Sequence, residues 1–185
     1  MTNEKNTSVS EETAKEKESI NYGKIVGQIA RMMQEDYGGL STGEMAELRR
    51  ISPEKPYTPA LWRVLISFGL DETFYGQQAE HERKWATLLM AMAHGPDLHD
   101  YNVSLGRALA EAEWSELRFA QLMRSTGRTL DVHLRRLAKF LSAKDQKVNW
   151  AEVQKLLFFQ EGKMADEIRL SISRDYYRAM YKAEH

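Results

Sequence analysis

From Ile20 to Met180 the large apolar residues recur three or four positions apart, and nowhere do they alternate with polar residues at strand spacing for long. That pattern confines the chain to helices packed on helices, because a strand would need a period of two. Glycine and proline cut it into segments. Ile20, Ile25, Ile29 and Met32 or Met33 form a stripe that stops at Gly38-Gly39. Ser41 with Glu44 three residues on has the capping-box pattern and opens a short helix through Met45, Leu48 and Ile51. Pro53, Pro56 and Pro59 hold a connector, and a helix starts near Pro59, carries Leu61, Trp62, Leu65 and Ile66, and stops around Gly69. A long pattern then runs from Asp71 through Phe74, Tyr75, Trp85, Leu88, Leu89 and Met92 to Gly95-Pro96.

Residues 95–103 read as the one sizeable loop. Beyond it Ser104 caps a helix with Leu105, Ala108 and Leu109, and another runs from about Ser115 to Ser125 with Leu117, Phe119, Leu122 and Met123. Gly127 breaks the pattern. Thr129 is the expected cap of the next helix, whose Leu130, Leu134, Leu137 and Leu141 lie within about 40° on a wheel of roughly 100° per residue. Asn149 with Glu152 suggests another capping box ahead of Trp150, Val153, Leu156, Leu157 and Phe159. The last helix starts about Met164, with Ile168, Ile172, Tyr176 or Tyr177, and Met180. The expected fold is all-α, with about eight or nine helices in two packed lobes, residues 20–100 and 101–185, after a disordered tail over residues 1–19 whose Glu, Lys, Ser and Thr cannot bury enough surface to order it.

Composition removes several chemistries. The chain has no cysteine, so disulfides, thiolate metal sites and cysteine nucleophiles are excluded together. The residues three before each of the five histidines are Gln78, Ala91, Pro96, Leu130 and Lys182, none acidic, so the Glu-x-x-His pairs of a di-iron bundle are missing. His81-Glu82 is followed by Arg83, Lys84 and Trp85, which fails the HExxH zinc-protease pattern, and neither a P-loop nor a GxSxG elbow occurs. No stretch approaches the roughly 20 apolar residues of a membrane span, so the expectation is a soluble, cytoplasmic, non-enzymatic protein without cofactor, metal or small-molecule substrate.

The net charge of -1 conceals one local excess. Between residues 117 and 147, Arg118, Arg124, Arg128, Arg135, Arg136, Lys139, Lys144 and Lys147 face only Asp131 and Asp145. On the helix of the four leucines, Arg135 and Lys139 sit together about 100° to 140° round from them, with Arg136 a further step on. Affinity for polyanions follows local charge, and arginine grips phosphate oxygens in pairs, so this strip is a candidate for salt-sensitive, backbone-directed nucleic-acid binding. Trp62, Trp85 and Trp150 lie on apolar stripes and are expected in the core, and Arg107 is expected to be an internal ion-pair or packing residue.

The stretch Ser104-Leu105-Gly106-Arg107-Ala108-Leu109, then Arg118-Phe119-Ala120-Gln121-Leu122-Met123-Arg124, then Leu134-Arg135-Arg136-Leu137, then Trp150 before Leu156 and Leu157, is similar in order and spacing to the CasB-type small-subunit family of the type I-E CRISPR Cascade complex. Upstream, Glu47-Leu48-Arg49-Arg50-Ile51 followed by Pro59-Ala60-Leu61-Trp62 resembles that family's N-terminal LRR segment, so the likeness covers about residues 40–160. It implies an all-helical, non-catalytic subunit, two copies of which sit along the inner side of the complex. Its partners would be the other Cascade subunits (backbone and large), a second copy of itself, guide RNA, and the target and displaced DNA strands.

Carried over by position, Arg50 and Arg136 match basic residues associated with DNA contact, and Arg49, Arg118, Arg124 and Arg135 match family arginines. Lys163 stands near a family basic position after the Trp150 helix. Gly127 stands near where a relative has arginine, so that contact is either shifted to Arg128 next door or lost. With Lys139 and Lys144 of the local strip, these ten residues form the expected nucleic-acid-binding set. The alternative is a helical protein-protein adaptor whose strip meets an acidic partner.

Overall fold

Ser41, Ser104 and Asn149 stand where the sequence places helix starts, and each side chain accepts a backbone amide of the turn that follows: Glu44, Arg107 and Ala151 respectively. At Ser41 the capping box is complete, because the Glu44 carboxylate also accepts the Ser41 amide at 2.8 Å. The computed structural model describes residues 21–34, 39–53, 55–71 and 77–184. The expected tail, Gly38, and the first turns expected after Asp71 lie outside the described residues, apart from Asp71 itself.

Within the described residues there are nine helices: α1 (Tyr22–Met33), α2 (Thr42–Arg49), α3 (Pro59–Ser67), α4 (Gln78–Ala93), α5 (Leu105–Glu111), α6 (Glu116–Arg124), α7 (Gly127–Ala143), α8 (Trp150–Phe158) and α9 (Gly162–Glu184). Extended pairing there is confined to the isolated bridges Ser52–Lys55 and His99–Val148. The fold is all-α.

α4 organises the core. Every residue from Trp85 to Ala93 is buried, so this half of the helix is enclosed on all sides, by α2, α3, α7 and α8. α1 packs on α8 and α5 on α9, and one apolar cluster runs from Val26 to Tyr176. Leu130, Leu134, Leu137 and Leu141 of α7 are fully buried, each contributing about 1.5–3 kcal/mol, and they set which face of α7 is left outward.

The structure corrects several local expectations. α7 starts at Gly127, and Thr129 lies inside it. Gly127 takes a left-handed φ of 54°, and its amide donates to Gln160 Oε1 at 2.5 Å, so a distant side chain closes this helix end in place of a local cap. Glu152 does not complete a capping box with Asn149; its carboxylate accepts the Leu105 amide at 2.8 Å, joining the start of α8 to the start of α5. Tyr176 is the core tyrosine of α9 and Tyr177 is exposed, while Leu117, Ile66 and Phe159 point outward. Trp62 is half-buried, stacked on Tyr57 at 5.8 Å. Trp85, Trp150 and Trp114 are in the core. Arg107 pairs with Glu111 at 2.6 Å within α5.

Candidate nucleic-acid interface

The doubled arginine of α7 straddles two surfaces. Successive helical residues are turned by about 100°, so with the leucines fixed inward Arg135 and Arg136 leave on opposite sides of the exposed face. The cations that the sequence treats as one strip therefore form two groups flanking α7.

On the first side, Arg135 meets the end of α2. Its Nη2 donates to the carbonyl of Ile51, directly after Arg49 and Arg50 in sequence. Arg49 donates from Nε to the carbonyl of Ala93 at 2.7 Å, at the end of α4. A cation there meets the partial negative charge of a helix C-terminus. Lys139 follows Arg135 by one turn, and Lys139, Arg49 and Arg135 all bear on His94, the C-cap of α4. Burial first, and then these three charges, hold the His94 imidazole below its ordinary value. Arg50 is the C-cap residue of α2, its backbone amide bonded back to the helix and its side chain exposed. Two arginines are thus oriented by neutral carbonyls, which fix a guanidinium without neutralising it.

On the second side, Arg118 and Arg136 share a surface recess with Trp114, His133 and Phe140. The Arg118 guanidinium lies 5.4 Å from the Trp114 ring centroid, a cation-π contact that helical periodicity does not reveal because Trp114 stands in the turn before α6. Arg124 continues this side at a neighbouring recess with Thr129 and His133.

Arg128 lies on the Arg135 stripe and lines, with it, a cleft of about 500 Å³ between α4, α7 and the connector bearing Ile51 and Tyr57. The cleft's two carboxylates are already engaged: Asp131 pairs with Arg83 of α4, which also holds Glu80 at 2.7 Å. Burial pushes the Asp131 carboxyl up, and the Arg83 guanidinium opposes that shift. No acid within 4.0 Å is paired with Arg49, Arg50, Arg118, Arg124, Arg128, Arg135, Arg136 or Lys139 among the described residues.

Lys144 and Lys163 differ. Lys144 pairs with Glu113 at 3.2 Å and lies near the Phe140 ring, while Lys163 faces Glu167 at 3.7 Å on the first turns of α9. Lys147, on the loop after α7, donates to the Asp97 carbonyl at 2.7 Å.

Other chemistry finds little support among the described residues. No group of three or more His, Asp or Glu side chains there could hold a metal ion, and no helix there is long and apolar enough to cross a membrane. His81 is a core histidine that accepts the Trp85 indole N–H at 3.1 Å. His99 accepts the Trp150 amide at 3.3 Å.

A small all-helical protein in which, among the described residues, eight outward cations of the expected set lack carboxylate partners belongs to the class that meets polyanions by charge and shape. The particular family follows from comparison. The model of the family described as CRISPR-associated protein Cse2 matches residues 44–177, and the chain belongs to that family. Among solved structures it is similar to a chain in the crystal structure of E. coli Cascade bound to a PAM-containing dsDNA target with a 32-nt spacer. The two are 26% identical with a TM-score of 0.63, over 84% of this chain and 96% of that one. No curated protein matches the sequence.

Proposed function

We propose that this chain is the non-catalytic, nucleic-acid-binding small subunit of a Cascade surveillance complex, acting in the cytoplasm beside a second copy of itself. Membership of the Cse2 family and the likeness to a Cascade component support the assignment. Its contribution is to hold the displaced DNA strand and the guide-target region by their backbones. Exchange of a DNA duplex for a guide-target heteroduplex is nearly balanced in free energy, so modest contacts to the freed strand tip it forward.

The observation that carries the reading is the junction of α2, α4 and α7. There Arg49 and Arg135 are steered by the carbonyls of Ala93 and Ile51 and keep their full charge, with Lys139 alongside. Arg50, Arg128 and, across α7, Arg118, Arg124 and Arg136 extend it. Lys144 and Lys163 join as secondary contacts, because each must leave a carboxylate to reach a phosphate.

Salt titration of binding to a labelled single-stranded DNA tests this. Log affinity should fall linearly with log salt, by about 0.7 for each phosphate held on a single strand. Binding that is absent at low salt, or indifferent to salt, would instead favour an adaptor that uses the cations on an acidic protein.

A further inference from the structure

The C-terminal half of α9 carries a second cationic face, unconnected with the sequence strip. Ala165, Ile172 and Tyr176 are buried against the body of the protein. On a helical wheel they fall within about 40° of one another. Arg174, Tyr177, Arg178, Tyr181 and Lys182 fall within about 140° on the opposite side, and these five line one open surface depression. All five are exposed, with Tyr177 at 46% and Tyr181 at 64%. Among the described residues, Arg174, Arg178 and Lys182 have no carboxylate within 4.0 Å. Residues 148–185 are neutral in sum, which is why charge counting along the sequence passes over this face.

The arrangement has a regular geometry. Arg174, Arg178 and Lys182 follow one another at intervals of one turn, about 6 Å along the axis, with a tyrosine beside each step. Tyr177 is held in place from α6: its hydroxyl donates to Glu116 at 2.9 Å, and its ring sits edge-on to Phe119 at 6.0 Å. That leaves one ring already oriented before any ligand arrives. An acidic protein surface would be matched by cations alone. Exposed rings interleaved with cations on one face supply both elements that unpaired nucleotides require, charge for the backbone and π-faces for the bases.

We propose that this face of α9 is a second binding strip for single-stranded nucleic acid, with Arg174, Arg178 and Lys182 on phosphates and Tyr177 and Tyr181 against bases. The inference rests on the nucleic-acid reading above. It goes beyond the family match, which ends at Tyr177 and leaves Arg178, Tyr181 and Lys182 outside it.

The test uses the full chain and a fluorescein-labelled oligothymidylate of about 20 nucleotides, followed by fluorescence anisotropy over a salt series. Three variants are compared with the wild type: Arg174→Gln/Arg178→Gln/Lys182→Gln, Tyr181→Ala, and Arg118→Gln/Arg136→Gln. The triple variant should bind more weakly, with a log–log salt slope shallower by about 2, the share of three phosphate contacts on a single strand. Tyr181→Ala should weaken binding about fivefold or more with the slope unchanged, because stacking releases no counterions. Thermal unfolding should stay at the wild-type temperature for the triple variant, whose altered side chains are all exposed.

A triple variant with wild-type affinity and slope, while Arg118→Gln/Arg136→Gln loses binding, overturns this inference and leaves the proposed function standing. A wild type that does not bind at low salt overturns both. A triple variant that binds DNA normally yet no longer co-purifies with other Cascade subunits shows that the face docks protein, and the inference falls.

Discussion

Arg49 donates from Nε to the carbonyl oxygen of Ala93 at 2.7 Å, so a charged group of α2 closes the C-terminal end of the most deeply enclosed helix in the protein. The same contact satisfies an orphan helix carbonyl and aims the rest of the guanidinium outward.

Arg49→Ala should therefore act twice. A hydrogen bond to a charged group contributes about 1.5–3 kcal/mol, and exposure of this side chain places the expected loss near or below the lower figure, a few degrees in thermal midpoint. Affinity for single-stranded DNA should fall with it. Differential scanning calorimetry and anisotropy on the same preparation check both, and a variant of unchanged stability would show that the carbonyl contact is not maintained in solution.

Arg136→Ala should separate these effects. Its side chain is exposed and makes no hydrogen bond or ion pair among the described residues, so the unfolding midpoint should stay within about a degree while DNA affinity and the salt slope both decrease. Early unfolding of this variant would mean that Arg136 is structural and that the α6–α7 side is not the interface.

Stability should decline in acid in two stages. Burial first of all depresses His81, His94 and His99 below their ordinary 6.5, and at His94 the charges of Lys139, Arg49 and Arg135 add to the effect. The fold prefers these imidazoles neutral, so their contribution is complete above about pH 6.5 and is lost as pH falls through the lower folded values. Glu44 is held at about 2, chiefly by the Arg63 guanidinium and then by Ser41. Its contribution is present above the ordinary 4.5 and disappears as pH falls toward about 2. Burial raises Asp131 and Glu152, so their protonation works in the opposite sense and blunts the second stage. Thermal midpoints measured from pH 8 to pH 3 should show the first decline below 6.5, and Arg63→Gln should reduce the second, leaving the share of Glu80, whose carboxyl the Arg83 hydrogen bond lowers in the same sense. A flat profile between pH 7 and pH 5 would refute the histidine account.

Gly106→Ala should loosen α9. A Cβ at this position would lie 2.1 Å from the Ile172 carbonyl oxygen and 2.7 Å from the Tyr176 amide nitrogen, both backbone atoms that cannot swing aside. Overpacking of this kind costs about 1–3 kcal/mol, and near-ultraviolet circular dichroism should register the disturbed stack of Tyr176 on Phe119, whose centroids are 3.9 Å apart. An unchanged midpoint would mean that α5 and α9 approach less closely than their backbones indicate.

Gly106 also shows what was legible in the sequence. The segment Ser104–Leu109 could be recognised before its parts were understood, and each part now has a cause. Ser104 caps the helix, Leu105 and Leu109 are buried, Gly106 admits the backbone of α9, and Arg107 pairs with Glu111. Helix starts were readable where the cap is local, as at Ser41, and misread where it is remote, as at Gly127 with Gln160. The cationic strip was visible as an excess of charge, but its division at Arg135 and Arg136 depends on which helices flank α7. The α9 face was hidden because Asp166, Glu167 and Asp175 cancel its charge along the sequence while lying on other turns or faces of the helix.

The link from Glu152 to the Leu105 amide spans 47 residues and supplies an acceptor to the first amide of α5. That helix cannot finish its own beginning from neighbouring sequence alone. Loss of the Glu152 carboxylate would leave the first turn of α5 short of an acceptor and loosen the seat of α9 on Gly106, so α5, α8 and α9 should gain protection from hydrogen exchange together and not one after another.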